Sequence, residues 1–315
     1  MGRLAIHNYH DVFNQFPMGF AATLPVTNLG GCGSSQERSL WIWGSAILPY
    51  IEQAPLYNTL NVGNTALWQQ LTINPQALQT PLSVFRCPSD IGPSLNNFDD
   101  SVATFPSSNA YNAHVTPDGT SRIPIAMSND IAVSGTSDST TPAVCPAVYG
   151  PPTGMLFMNS RTGVQNVTDG TSNTLMVGER CWAYRKRIIG AGNALGFSAA
   201  TNRTSSNIRS AAMCVLGIGS DGINGVRVNQ HDRRGFSSSH VGGAHFVMAD
   251  GAVRFLSENI DYARNTVGAT PGSPHPGAPP GSCTSGLGGA ATNLFVTTTY
   301  ARLLTKDDGQ VVGEF

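Results

Sequence analysis

At 315 residues the chain can bury a sizeable core, and with 12% charged side chains and a formal net charge of -1 it offers no basic surface for a nucleic acid. Its longest basic run, Arg185-Lys186-Arg187, reads as a solvated strand end. The 35 Gly and 20 Pro, at about half the charge density of a cytosolic enzyme, point to a loop-rich, strand-rich protein of an extracytoplasmic compartment.

In chain order, GRLAIHNYHDVFNQFP sets Leu4, Ile6, Tyr9, Val12, Phe13 and Phe16 at helical steps, with Pro17 as a stop. Met1-Gly2-Arg3 is no capping sequence, so the helix is expected to begin before Met1. No signal peptide and no apolar run of membrane-spanning length is present. LWIWGSAILPYIEQAPLYNTL (Leu40 to Leu60) is apolar almost all round and broken by Pro49 and Pro55, which predicts short helical pieces in the core. TPLSVFRCPSD (Thr80 to Asp90) reads as a strand, and residues 91 to 150 as loops with short strands. From Gly154, GMLFMNS and GVQNVTDGTSNTLMVGERCWAYRKRII give three strand-like runs. Residues 190 to 235 read as a variable excursion near the sheet, residues 267–292 as a low-complexity loop, and the end around Asp308-Gly309 as hairpin-like.

The most informative stretch is SSSHVGGAHFVMADGAVRFLSENI, Ser237 to Ile260. Asp250-Gly251 suits a two-residue type I′ turn. That turn pairs Met248 with Val253, Val247 with Arg254, Phe246 with Phe255 and His245 with Leu256. One apolar face then carries Phe246, Met248, Val253 and Phe255, and a mixed face carries His245, Val247, Arg254 and Leu256. A catalytic reading is weaker. His240 and His245 lack HExxH spacing and its glutamate, Ser239 and His240 are neighbours whose side chains diverge along an extended chain, and Asp250 is already explained by the turn. A metal shared by His240, His245 and Asp250 stays open as a candidate site. Asp169, Thr171 and Asn173 alternate as the first calcium ligands of an EF-hand loop do, but Thr174 and Arg180 stand where that loop needs Gly and Glu. A turn is the plainer reading, with calcium left as a candidate ligand.

Cys32, Cys87, Cys145, Cys181, Cys214 and Cys283 are dispersed with no CxxC pair, which argues against a zinc ribbon or thioredoxin motif. An even, scattered set fits structural disulfides in an oxidising compartment, with buried thiols as the plain alternative.

LAIHNYHDVFNQFP, ILPYIEQAPLYN, FRCPSD, VTDGTSNTLMVGE and SSSHVGGAHFVMADGAVRFLSENI stand in that order over nearly the whole chain. Together they resemble a planctomycete-type, type IV pilin-like (pseudopilin-like) family of unknown function. That family is marked by a histidine, nine residues, then Asp-Gly, matched here by His240, Asp250 and Gly251. The resemblance implies an α+β fold with an N-terminal pilin-like helix packed on an antiparallel sheet, enlarged by loop-rich β excursions. It also implies a prepilin-type segment, with a methylated N-terminus after processing, upstream of what is seen here. Residues 1–17 would be the end of that helix and residues 18–315 a single globular head. The signature residues are read as structural.

The function expected is that of a non-enzymatic, extracytoplasmic structural subunit of a pilus- or pseudopilus-like surface filament, or of a type II secretion-like assembly. Its partners would be copies of itself and a membrane-embedded machine, with no nucleic acid, and with the membrane met only through the upstream helix. The alternatives are a surface-anchored polysaccharide-binding module using Trp41, Trp43, Trp68 and Trp182, or a metal-dependent hydrolase using His240, His245 and Asp250. No cofactor beyond calcium is implied.

Overall fold

A computed structural model describes residues 2–21, 39–99, 113–135, 153–198, 212–219, 222–225, 234–262 and 298–315, except 311 and 314. Its elements make an α+β fold of short helices on mixed, largely antiparallel sheets. The 267–292 loop lies outside the described residues.

The first helix, α1 (Gly2–Phe13), ends before Pro17 because Asn14 adopts a left-handed conformation, φ 54°. Asn tolerates that region and closes the last turn by donating its N–H to the His10 carbonyl at 2.7 Å. The apolar 40–60 run becomes β1 (Ser39–Trp41), α2 (Trp43–Ala46), a 3-10 turn at Leu48–Ile51 and α3 (Ala54–Leu60), split at its prolines as expected. Two further short helices, α4 (Leu67–Ile73) and α5 (Pro75–Leu78), follow. Thr80 to Asp90 forms no strand. Ser83–Phe85 is a 3-10 turn that buries Phe85 and leaves the CPSD segment as a loop.

A three-stranded sheet joins β2 (Leu95–Asn96), β3 (Ile125–Ser128) and β8 (Gly192–Asn193), while β9 (Gly196–Ser198) pairs back with β1. Arg185 and Lys186, both at positive φ, turn the two-residue strands β6 (Ala183–Tyr184) and β7 (Arg187–Ile188) onto each other. The main sheet has five strands in the order β10-β4-β5-β11-β12. They are β4 (Asp130–Gly135), β5 (Leu175–Glu179), β10 (Leu216–Ile218), β11 (Gly243–Met248) and β12 (Val253–Ser257). The 190–235 excursion therefore lends the sheet an edge, β10, which runs parallel to β4, whereas the other pairings are antiparallel.

Both faces of this sheet are covered, which is why β4 and β5 are nearly continuous apolar runs. One face buries Ile131, Val133, Phe246, Met248 and Leu256 against α6 (Thr299–Leu303). The other face joins the larger core with Ala132, Val177 and Val247. There α1 looks across a cleft of about 360 Å³ lined by Gly2, Ile6, Val84, Val177, Val247 and Val253. Arg180, fully buried, donates to the carbonyls of Gly235, Leu216 and Arg234 at 2.8–3.0 Å, which ties β5 to β10 and the 234–235 segment. Among the described residues no helix is long and apolar enough to cross a membrane.

The β11–β12 hairpin forms, but one register step from the expected pairing: His245 faces Phe255, Phe246 faces Arg254 and Val247 faces Val253. The connection is a three-residue loop, not a two-residue one. Gly251 N donates to the Met248 carbonyl at 2.9 Å, closing a type I turn, and Gly251 itself holds φ 83° as the following left-handed residue. Met248 N then pairs with the Ala252 carbonyl at 2.8 Å. Because side chains alternate, this single step exchanges the faces of β12: Leu256 is buried, while Val253 and Phe255 are 44% and 46% exposed.

Candidate functional site

The open end of this hairpin gathers side chains from three distant segments. Glu179 ends β5, where Asp130 of β4 pairs on one side and β11 on the other. Its Oε2 accepts the His245 backbone N–H at 2.8 Å and lies 3.4 Å from His245 Nδ1. Its Oε1 lies 3.3 Å from His240 Nε2. The same His240 nitrogen is 3.8 Å from Cys87 Sγ, and the two imidazole rings meet edge to face at 4.9 Å. Asp130, half-buried at the start of β4 on the edge of the cleft, has its carboxyl pushed up to about 7 by desolvation and by the neighbouring Glu179 charge.

Backbone hydrogen bonding holds each contributor in place. Asn129, at the corner between β3 and β4, is buried. Its Oδ1 accepts the Cys87 N–H at 2.9 Å, and its Nδ2 donates to Asp90 Oδ2 at 2.8 Å and to the Arg180 carbonyl at 3.0 Å. Asp90 Oδ1 accepts the Trp182 N–H at 2.9 Å. The CPSD loop is thereby stitched to the chain on the far side of Glu179. On the histidine side, Ser238 Oγ accepts the His240 N–H at 3.0 Å and donates to the Gly243 carbonyl at 2.6 Å, while Ser237 N donates to the Glu179 carbonyl at 2.8 Å. A cavity of about 10 Å³, lined in part by Cys87, Ser89, Glu179 and Ser238, adjoins the cluster.

Of the predicted site residues, His240 and His245 come together, but the carboxylate between them is Glu179 and not Asp250. Asp250 sits at the opposite end of the hairpin, where its Oδ1 accepts the Ala252 N–H at 2.8 Å, an Asx contact that shapes the turn. Gly251 there faces α1 closely: a Cβ on it would lie 3.0 Å from His7 Nε2. Asp169, Thr171 and Asn173 have separate engagements. The Asp169 carboxylate accepts the amides of Asp308 and Gly309 at 2.6 and 2.9 Å, the Thr171 carbonyl accepts the Asp250 N–H, and Asn173 Nδ2 donates to the Asp169 carbonyl at 3.3 Å. Burial and the Asp169 charge push the Asp308 carboxyl up to about 7.

No disulfide joins Cys87, Cys181 and Cys214 to one another, and Cys32, Cys145 and Cys283 lie outside the described residues. The Cys181 thiol donates to Ser237 Oγ at 3.3 Å, and burial pushes it up to about 11 and the Cys214 thiol up to about 12, the range of inert core thiols. Trp43 is buried, Trp41, Trp68 and Trp182 are half-buried, and Trp41 Nε1 donates to the Thr65 carbonyl at 2.8 Å, so the four form no exposed stacking row. Sequence reasoning missed Cys87 and Glu179. The signal was present: FRCPSD, LMVGE and SSSHVGGAH are three of the landmark stretches, and each supplies a member of the cluster.

Neither a curated protein nor a solved structure matches the chain. A family model described as "Protein of unknown function (DUF1559)" matches residues 3–263, which covers most of the sequence, including the cluster and the hairpin, and the chain belongs to that family.

Proposed function

We propose that this protein is a non-enzymatic, extracytoplasmic structural subunit of a pilus- or pseudopilus-like surface filament, assembling with copies of itself through α1. The observation that supports this most directly is the state of that helix. It packs Ala5 and Ile6 into the core yet leaves Leu4, Val12 and Phe13 64%, 61% and 52% exposed. An amphipathic helix that leaves these apolar side chains uncovered is the element a neighbouring subunit would cover in a packed bundle. The low charge and polar, Gly/Pro-rich loops suit an outer surface. The test places a photo-crosslinking amino acid at Val12 in cells that make the protein natively and fractionates the sheared surface material. A ladder of self-crosslinked multimers in that fraction is expected. Monomer alone, or crosslinks only to unrelated proteins, would sink the filament reading.

A further inference from the structure

The cluster at the open end of the hairpin has donor chemistry that the filament role does not use. We propose that Cys87 Sγ, Glu179 Oε1 and His240 Nε2 are three ligands of a zinc-class divalent cation, with water in the fourth position. The three donor atoms lie within 4.8 Å of one another. Bonds of about 2.3 Å to sulfur and about 2.0–2.1 Å to nitrogen and oxygen give tetrahedral edges of about 3.6 Å for S···N and about 3.3 Å for N···O. The observed edges are 3.8 Å from Cys87 Sγ to His240 Nε2 and 3.3 Å from Glu179 Oε1 to His240 Nε2. These two edges are within a few tenths of an ångström of tetrahedral values, and the third, between Cys87 Sγ and Glu179 Oε1, lies within 4.8 Å.

The arrangement does not serve as a nucleophile relay. A Cys-His-carboxylate triad needs the thiol on one imidazole nitrogen and the carboxylate on the other. Here both meet the same nitrogen, so three donors point at one position and no proton path runs through the ring. Thiolate with imidazole selects zinc-like ions over calcium or magnesium, which prefer oxygen. His245 serves the site indirectly. Its backbone N–H and Nδ1 hold the second Glu179 oxygen, leaving Oε1 for the metal, as an outer-shell partner does. The adjoining cavity of about 10 Å³ has room for a small ion, so the ion would clamp the CPSD loop, β5 and the 238–243 segment together. This proposal is independent of the filament reading.

The test uses the full chain, reduced and stripped with EDTA, then titrated with Co²⁺ and displaced with Zn²⁺. One equivalent of cobalt should give a thiolate charge-transfer band and visible bands of tetrahedral intensity, both erased by zinc. Cys87→Ser should remove the charge-transfer band, His240→Ala should weaken zinc binding by more than about 100-fold, and His245→Ala by about 10–100-fold. Cys181→Ala should change nothing. In case a ligand variant fails to fold, alkylation of Cys87 in the unaltered protein, followed by peptide mapping, should slow about tenfold or more when zinc is added. No tetrahedral cobalt spectrum, a spectrum retained in Cys87→Ser, or a Cys87 alkylation rate indifferent to zinc would each overturn the assignment.

Discussion

At its closed end the β11–β12 hairpin is shaped by backbone geometry, and at its open end by side chains drawn from three separate segments. The two ends lie roughly 17 Å apart along the strands. At the closed end Asp250 and Gly251 are needed for what they let the main chain do: Gly251 takes φ 83° and Asp250 caps the Ala252 amide. At the open end His240, Glu179 and Cys87 are needed for what their side-chain atoms present to one another. The short stretch from His240 to Gly251 thus spans a candidate ligand and a turn. Residues close together in one motif can answer to different physics, and substitutions should separate them.

The largest expected effect tests the register that places the two ends. Leu256→Ala should cost about 2–4 kcal/mol in urea unfolding, because Leu256 is buried against the α6 face, whereas Phe255→Ala should cost under about 1 kcal/mol. The reverse order would restore the two-residue-turn register. Next, Asn129→Ala should cost about 2–3 kcal/mol by leaving the Cys87 amide and the Arg180 carbonyl without their partner. It should also raise the alkylation rate of Cys87, since the loop that aims the thiol is cut loose. Unchanged alkylation would mean that the cluster is held without this corner.

Gly251→Ala should cost about 1–2 kcal/mol, from the left-handed φ and from the Cβ pressing on His7, while the Cys87 alkylation rate stays put. A change at Cys87 would show that the two ends are coupled after all. The smallest effect concerns another Asp-Gly pair, Asp308-Gly309, whose amides are held by a second carboxylate, Asp169. The Asp308 carboxyl is raised to about 7 in the fold. Below its ordinary range both folded and unfolded forms are protonated, and this group has no effect. As pH rises toward 7 the unfolded chain releases the proton first, so stability falls, and above 7 the penalty is constant. Asp308→Asn should remove that slope, with a gain of about 1 kcal/mol at pH 8 once solvent screening of a partly exposed group is allowed for, and none at pH 3. A variant whose stability tracks the parent at every pH would refute the raised carboxyl, held up by burial and by the Asp169 charge.

Much of the fold was legible in local pattern. The helix at the start, the proline-broken apolar run, the β5 strand and the existence of the hairpin all follow from periodicity and turn residues. What misled was ambiguity of length. Asp-Gly serves a two-residue turn and a three-residue one equally well, and one residue of difference moves Phe255 out to solvent and Leu256 in. SVF reads as a strand by composition, yet packing Phe85 into the core is achieved by a single 3-10 turn.

The candidate site was half legible, because a histidine pair five apart is visible in any reading of the chain, whereas its partners are not. Cys87 and Glu179 stand 92 residues apart, and they meet where Asn129 and Asp90 bond the CPSD loop to the chain just beyond β5. The sequence by itself determined the α+β class, the low-charge surface chemistry and the residues able to turn the chain. Which thiol, carboxylate and imidazole share one point in space was decided by tertiary structure alone, since that depends on strand order and register, and neither is encoded by any local stretch.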